Sequence, residues 1–187
     1  VHREERALAA RAVRVQRDTA IAQARDFAES VQQMTLAGLT GMMITGTIPQ
    51  RAVFLDQIKQ SNNIRALRVV RGENVSHQFG QGAAAESAAD AIEREVLGSG
   101  RAVIQIRQDG GREILKAVMP AIARKNYLGK DCLGCHQVAE GAVLGAGTME
   151  ISLDKVNAAV AGFRVNMYRA AALISVPRDL WIPTLAV

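Results

Sequence analysis

The chain has 187 residues and a formal net charge of +5; hydrophobic residues make up 49% of it and aromatic residues only 4%. This length suits one domain with a sizeable core, and the apolar content argues against disorder. The basic residues are dispersed rather than grouped in a block, so nucleic acid is not an expected partner.

A long N-terminal helix is expected over residues 1–46, because no residue breaks a helix before the glycines at 38, 41 and 46. Small or apolar residues recur along it in steps of four and three, which predicts a seam that packs on a partner helix. The seam consists of Ala20, Ala24, Phe27, Val31, Met34 and Gly38. Gly46, followed by Pro49, predicts the C-terminal end of this helix.

Residues 47–153 are expected to form an α+β core. Alternating or branched residues predict strands, and the triplet Asp109-Gly110-Gly111 predicts a hairpin. The expected strands are 64–72, 102–108, 112–123 and 147–153, and the expected short helices are 50–60 and 86–97. A hairpin with few long crossovers predicts an antiparallel sheet flanked by helices.

A C-terminal helix is expected over residues 154–174, with Asp154 as its N-cap. The last stretch, 175–187, contains two prolines and is interpreted as a linker or a vector-derived tail.

The segment DCLGCHQV, residues 131–138, contains both cysteines and one of the three histidines. Haem c is held by two thioether bonds from cysteines, and the residue after the second cysteine supplies an imidazole to iron. The spacing therefore predicts one covalently bound haem c per chain, attached through Cys132 and Cys135, with His136 as the proximal iron ligand. Three alternatives stay open: a thioredoxin-type redox pair, a structural zinc site and a plain disulfide.

The second axial position of the iron has two candidates in the segment LTGMMITG. Met42 continues the helical seam and is expected to be core, whereas Met43 lies about 100° further round the helix. Periodicity alone favours core packing for both methionines. His77 is interpreted as a surface residue. Basic residues near the cysteines could pair with haem propionates, although ordinary solvated charges are favoured for most; they are Lys116, Arg124, Lys125 and Lys130.

The stretch KNYLGKDCLGCHQVAEGAVLGAGTMEISLD resembles the haem-binding segment of periplasmic haem-c sensor domains of bacterial methyl-accepting chemotaxis proteins and related signal transducers. The blocks MMITG, LRVVRG and HQFGQG resemble other blocks of that family in the same order. The likeness extends over residues 20–170, and its haem segment is the specific part.

The resemblance implies a PAS-like (Cache-like) fold with a five-stranded antiparallel sheet and a haem-c loop over residues 125–141. It implies that Cys132, Cys135 and His136 bind haem and that Met43 is the distal ligand. It also implies a homodimer, in which helices are exchanged, in the periplasm. Membrane helices would belong only to the full-length inner-membrane protein, of which this chain is expected to be an excised part, since it has neither a signal peptide nor a membrane span.

Two functions follow from these expectations, and a third is not expected. The first is a sensor domain that detects redox state, through a redox partner, or a small gas such as NO or CO by a change of axial ligand. The alternative is a small electron-transfer cytochrome, against which the predicted strands count. An enzyme is not expected, because no acid-base constellation is legible.

Overall fold

A computed structural model describes residues 2–60 and 63–174, so the expected tail at 175–187 lies outside the described residues. The expected α+β architecture is confirmed, with a long helix at the N-terminal end and another at the C-terminal end. The helices are α1 (His2–Ile44), α2 (Arg51–Lys59), α3 (Glu73–Phe79), α4 (Ala91–Ser99) and α5 (Asp154–Ile174). The strands are β1 (Ile64–Arg71), β2 (Val103–Asp109), β3 (Arg112–Ile122) and β4 (Val143–Ser152). Short 3-10 turns stand at Ile48–Gln50 and Ala84–Glu86.

The chain divides into two compact units, and the boundary between them falls within α1. One unit contains residues 24–153, which include the last part of α1 and all four strands. The other contains the first part of α1 together with α5; in it, Arg17 donates a hydrogen bond to the Asn157 side chain at 3.0 Å. Met43, Cys132, Cys135 and His136 all belong to the first unit.

The four strands form one antiparallel sheet in the order β1-β4-β3-β2. The expected hairpin is confirmed: Asp109 pairs with Arg112, and Gly110 and Gly111 both adopt positive φ, at 56° and 79°. Two residues with positive φ match the twist of the flanking strands, which is why Gly-Gly is favoured there. β3 pairs with both β2 and β4, and its consecutive residues Ile114 to Met119 are buried, so both of its faces are covered.

One face of the sheet packs on α4. Val70, Val118 and Ala146 lie buried against Val96. The same face contains a buried carboxylate, Glu93, which accepts hydrogen bonds from the Thr148 hydroxyl at 2.7 Å and from the Ala89 N–H at 2.6 Å. Asp90 caps α4 by accepting from the Glu93 N–H at 3.0 Å, and it binds Lys116 Nζ of β3 at 2.5 Å.

The other face of the sheet packs on the last part of α1. Gln32 donates its amide to the Met119 carbonyl at 3.2 Å, and Gly147 lies beneath the same side chain. The predicted seam is wrong at Met34, which is 62% exposed, whereas Thr35 is buried. The helix is turned by one residue because Gly147 leaves room for Gln32, so the buried stripe consists of Ala28, Val31, Gln32, Thr35 and Leu39.

The described residues form four strands, one fewer than the resemblance implies. The chain between β1 and β2 becomes helical immediately after Gly72, whose N–H bonds the Leu144 carbonyl of β4 at 2.9 Å. None of the described helices combines the length and the apolarity that crossing a membrane requires.

Candidate functional site

The two cysteines lie in a loop that connects β3 to β4 and is closed at its base. The Ala123 N–H bonds the Ala142 carbonyl at 2.9 Å, and the Gly141 N–H bonds the Ala123 carbonyl at 2.8 Å. This pair of bonds brings the two ends of the loop together, so the intervening residues project as one unit from the end of the sheet.

A tight turn precedes the cysteines. Tyr127 and Lys130 exchange backbone hydrogen bonds at 2.8 and 3.0 Å. Leu128 and Gly129 between them both have positive φ, at 50° and 77°, and the Asn126 side chain accepts from the Gly129 N–H at 3.0 Å. The turn thus has the handedness of a type I′ hairpin with a leucine in the left-handed position.

The motif itself forms one helical turn. The N–H groups of Cys135 and His136 both bond the Cys132 carbonyl, at 3.3 and 2.9 Å. The Cys132 N–H is bound by the Arg124 carbonyl at 2.9 Å, and the Asp131 carboxylate accepts from the Leu133 N–H at 2.8 Å. Both cysteines are free thiols, and the turn presents both of them and the histidine to one cavity.

His136 is held in an apolar setting. Its side chain is 9% exposed, and its Nδ1 atom has no hydrogen-bond partner among the described residues. Burial lowers the pKa of His136 below its ordinary value, because desolvation disfavours the charged imidazolium. A neutral imidazole is the form that binds a metal.

Gln78 of α3 binds the motif on both sides of the histidine. Its amide nitrogen donates to the Cys135 carbonyl at 2.9 Å, and its amide oxygen accepts from the Gln137 N–H at 2.9 Å. The ring of Phe79 packs at 85° to the imidazole of His136, with centroids 5.5 Å apart. Sequence reasoning missed both residues; the only signal was their position in the block HQFGQG.

The adjacent His77 is exposed, as the sequence indicated, and lies 3.5 Å from the Glu73 carboxylate on α3. It does not line the cavity. In the part of the chain that the structure describes, no three side chains of His, Cys, Asp or Glu are grouped so as to hold a metal ion.

Met43 lies in the last turn of α1 and lines the same cavity as His136 and the two cysteines. The helix ends in a Schellman motif: Gly46 has a φ of 71°, the Thr47 N–H bonds the Met42 carbonyl at 2.8 Å, and the Gly46 N–H bonds the Met43 carbonyl at 3.3 Å. Met43 is 45% exposed. Met42 is half-buried and does not line the cavity.

The cavity has a volume of about 230 Å³ and mostly apolar walls. These walls come from α1, β1 and the ends of β3 and β4. The apolar lining includes Leu36, Leu39, Ile44, Ile48, Val69, Val70, Ala121, Ile122, Leu144 and Ala146. A flat apolar ligand tethered to the two thiols would meet hydrocarbon on several sides.

Three charged residues form a cluster in the cavity wall: Arg51 of α2, Arg71 of β1 and Glu86. Arg51 pairs with Glu86, and Arg71 Nε lies 3.0 Å from the other carboxylate oxygen. Burial works to raise the pKa of Glu86, but the hydrogen bonds from Arg51 and Arg71 outweigh it and hold the pKa below its ordinary value. The cluster keeps one positive charge in excess.

The structure assigns the basic residues named from the sequence to different places. Only Lys130 among them lines the cavity. Lys116 is buried against Asp90 on the α4 face of the sheet, and Lys125 lies 4.0 Å from Glu140. Arg51 and Arg71 were missed because they are remote from the cysteines in sequence and reach the cavity only through the packing of α2 and β1.

No protein-family model matches this sequence, and no curated protein matches it at a significant level. The resemblance to haem-c sensor domains stays a prediction.

Proposed function

We propose that this chain is a haem-c-containing extracytoplasmic sensor domain of a transmembrane signal transducer of the chemotaxis-receptor type. It detects redox state or a small gas such as NO or CO. One observation carries the proposal: Cys132, Cys135, His136 and Met43, on two different elements, line a single apolar cavity.

The residues around the cavity fit a haem group. Cys132 and Cys135 have free thiols for two thioether bonds, and His136 is buried with a depressed pKa, so its imidazole is neutral and suited to iron. Met43 supplies a thioether as the candidate distal ligand. When bound, haem supplies an iron centre whose preference for axial ligands depends on oxidation state and on available gases.

Haem propionates would find their partners in the charged cluster. Arg51 and Arg71 line the cavity with one carboxylate between them, which leaves one positive charge for a further carboxylate. Arginine suits this task because its planar fork matches a carboxylate with two parallel donors. The cluster would therefore orient the group within the cavity.

A sensing role is favoured by the elements that carry the two axial candidates. Met43 ends α1, whereas His136 belongs to the loop between β3 and β4. Loss of a bond between Met43 and the iron would remove one tie between the end of α1 and the cavity, and would leave the Schellman bonds and the packing of the helix on the sheet in place. The protein would then exist in two states, with Met43 bound to the iron or released from it. A signal can shift the equilibrium between these states only by its differential affinity for them, and moving the populations from 1:99 to 99:1 takes about 5.5 kcal/mol.

The α+β architecture favours this proposal over a small electron-transfer cytochrome of the four-helix type. The antiparallel sheet spans the central part of the chain, and the cavity is built from sheet, loop and helix together. The same proposal includes a periplasmic location, a homodimer with exchanged helices, and membrane helices in the full-length protein.

Visible spectroscopy tests the proposal directly. The chain is produced in a periplasm with the haem-attachment machinery, and spectra are recorded oxidised, reduced, and reduced with CO. We expect haem that resists acid-acetone extraction in the wild-type chain, and none in the double variant Cys132→Ser/Cys135→Ser. Absence of attached haem in the wild-type chain would overturn the proposal.

Two further measurements separate the ligand from the sensing role. Met43→Ala is expected to change the low-spin spectrum, and the neighbouring Met42→Ala is the matched control that leaves it unchanged. Hydrogen exchange of residues 24–44 in the reduced protein should rise when CO binds. An unchanged exchange pattern would refute gas sensing while leaving haem attachment intact.

A further inference from the structure

We propose that Gln78 and Phe79 are positioning residues for His136, and that they hold it firmly because α3, which carries them, is anchored on the sheet at its other end. This inference rests on the proposed function, because it gives α3 a role in holding His136 as an iron ligand. It concerns the proximal side of the site, whereas the sensing role above concerned Met43 and α1.

The first observation is the use that Gln78 makes of its amide. The nitrogen donates to the carbonyl of Cys135, and the oxygen accepts from the N–H of Gln137, both at 2.9 Å. These two groups belong to the residues on either side of His136. A single planar amide thus fixes the backbone before and after the histidine, which a side chain with only donors or only acceptors cannot do. We call this pair of bonds the Gln78 clamp.

The second observation is the aromatic contact. Phe79 lies edge-to-ring against His136, with centroids 5.5 Å apart, although its side chain is 55% exposed. A perpendicular arrangement is a favoured geometry for aromatic pairs. The contact restricts rotation of an imidazole that has no hydrogen-bond partner at Nδ1 among the described residues. The Gln78 clamp therefore fixes the backbone of the histidine, and Phe79 fixes its ring.

The third observation is how α3 is anchored at its other end. The Gly72 N–H bonds the Leu144 carbonyl at 2.9 Å, and the Asn74 side chain donates to the Val143 carbonyl at 3.0 Å. A Cβ atom at Gly72 would lie 2.7 Å from the Leu144 oxygen, so the helix starts in close contact with β4. The short helix α3 is consequently tied to the sheet at its beginning and to the haem motif at its end.

Two substitutions separate the halves of the Gln78 clamp in the haem-loaded protein. Gln78→Glu keeps an acceptor for the Gln137 N–H but loses the donor to the Cys135 carbonyl, whereas Gln78→Leu loses both. His77→Ala is the matched control, since His77 lies on the same helix, is exposed and takes no part in the clamp. Gln78 is half-buried, so each variant is expected to fold.

Three readouts are compared: hydrogen exchange of the Gln137 amide, the midpoint potential, and the iron–histidine vibration of the reduced protein in resonance Raman spectra. We expect Gln137 to exchange about fivefold faster in Gln78→Leu, the loss of one net hydrogen bond, and at the wild-type rate in Gln78→Glu. Both variants should shift the vibration and the potential, and Phe79→Leu should shift the vibration alone.

The outcomes distinguish this inference from the proposed function. A wild-type chain without attached haem would overturn the proposed function, and the inference with it. Attached haem with the same vibration and potential in Gln78→Leu as in the wild-type chain would overturn the inference alone. Equal shifts in His77→Ala would also overturn it, because they would show that any change in α3 has the same effect.

Discussion

Arg71 and Glu86 meet in the wall of the cavity, where Nε of the arginine donates to a carboxylate oxygen at 3.0 Å. Arg51 binds the second oxygen of the same carboxylate. The three residues come from β1, a 3-10 turn and α2. One carboxylate therefore links three elements around the candidate haem site and moderates the charge that the site presents.

The pKa of Glu86 sets the pH range in which this cluster stabilises the fold. Because the folded-state pKa lies below the ordinary value of 4.5, the contribution is present above that value and is lost as the pH falls through the folded-state pKa. We expect Glu86→Gln to lower the free energy of unfolding by about 1–3 kcal/mol near neutral pH. The difference from wild type should narrow in acid, as measured by urea unfolding across the pH range. A constant difference would contradict the assignment.

Gly147 leaves room for the side chain of Gln32 where α1 crosses the sheet. A Cβ atom there would lie 2.8 Å from Cδ of Gln32 and closer still to its oxygen, and Gln32 is buried and bonded to Met119. We expect Gly147→Ala to lower the free energy of unfolding by about 1–3 kcal/mol, the cost of overpacking. Urea unfolding measures this loss.

Two controls test the cause. Gly162→Ala, in a helix with open space around the new atom, should instead raise stability by about 0.5–1 kcal/mol. In a Gln32→Ala background, Gly147→Ala should lower the free energy of unfolding by less than it does in the wild-type chain. An equal loss of unfolding free energy in the two backgrounds would show that the new Cβ atom does not destabilise the fold through Gln32.

Local patterns predicted much of the fold. Branched residues bounded by turn residues predicted β1, two glycines after Asp109 predicted the β2–β3 hairpin, and both are confirmed. These features depend on neighbours in sequence. The buried face of α1 depends instead on Gly147, more than a hundred residues away, so periodicity placed Met34 inside and missed the buried Gln32 and Thr35.

The residues of the candidate site also fall into two groups, those that a local sequence pattern marks and those that only the packing brings together. The spacing of Cys132, Cys135 and His136 was legible because the proposed haem-attachment motif is local in sequence. Arg71 and Gln78 were not, since each acts through a partner that only the packing of β1 and α3 brings near. No composition or period marks such a residue before the fold is known.

Leu128 occupies a conformation that suits asparagine or glycine. Its φ is 50°, its side chain is 56% exposed, and Gly129 follows it in the turn. The left-handed region costs an ordinary residue about 1–2 kcal/mol, and asparagine tolerates it better. We expect Leu128→Asn to raise the free energy of unfolding by about 1 kcal/mol, measured by urea unfolding. Leu128→Ala keeps a Cβ atom but lacks the polar side chain that lets asparagine tolerate the left-handed region. If Leu128→Ala raised the free energy of unfolding as much as Leu128→Asn, the positive φ would not explain the gain.

In the haem-loaded protein that we propose, the charge of Arg71 should affect the midpoint potential of the iron. Removing a positive charge from the cavity wall disfavours the reduced, less positively charged iron, so we expect Arg71→Gln to lower the midpoint potential by about 20–60 mV. The double variant Arg71→Gln/Glu86→Gln has the net charge of the wild-type chain, so its midpoint potential should lie close to the wild-type value. Arg112→Gln, on the exposed hairpin, controls for a loss of charge far from the cavity. Spectroelectrochemical titration measures all four proteins. If the double variant had a midpoint potential as low as that of Arg71→Gln, the shift would come from altered packing. A pure charge effect requires the shifts from the two substitutions to cancel.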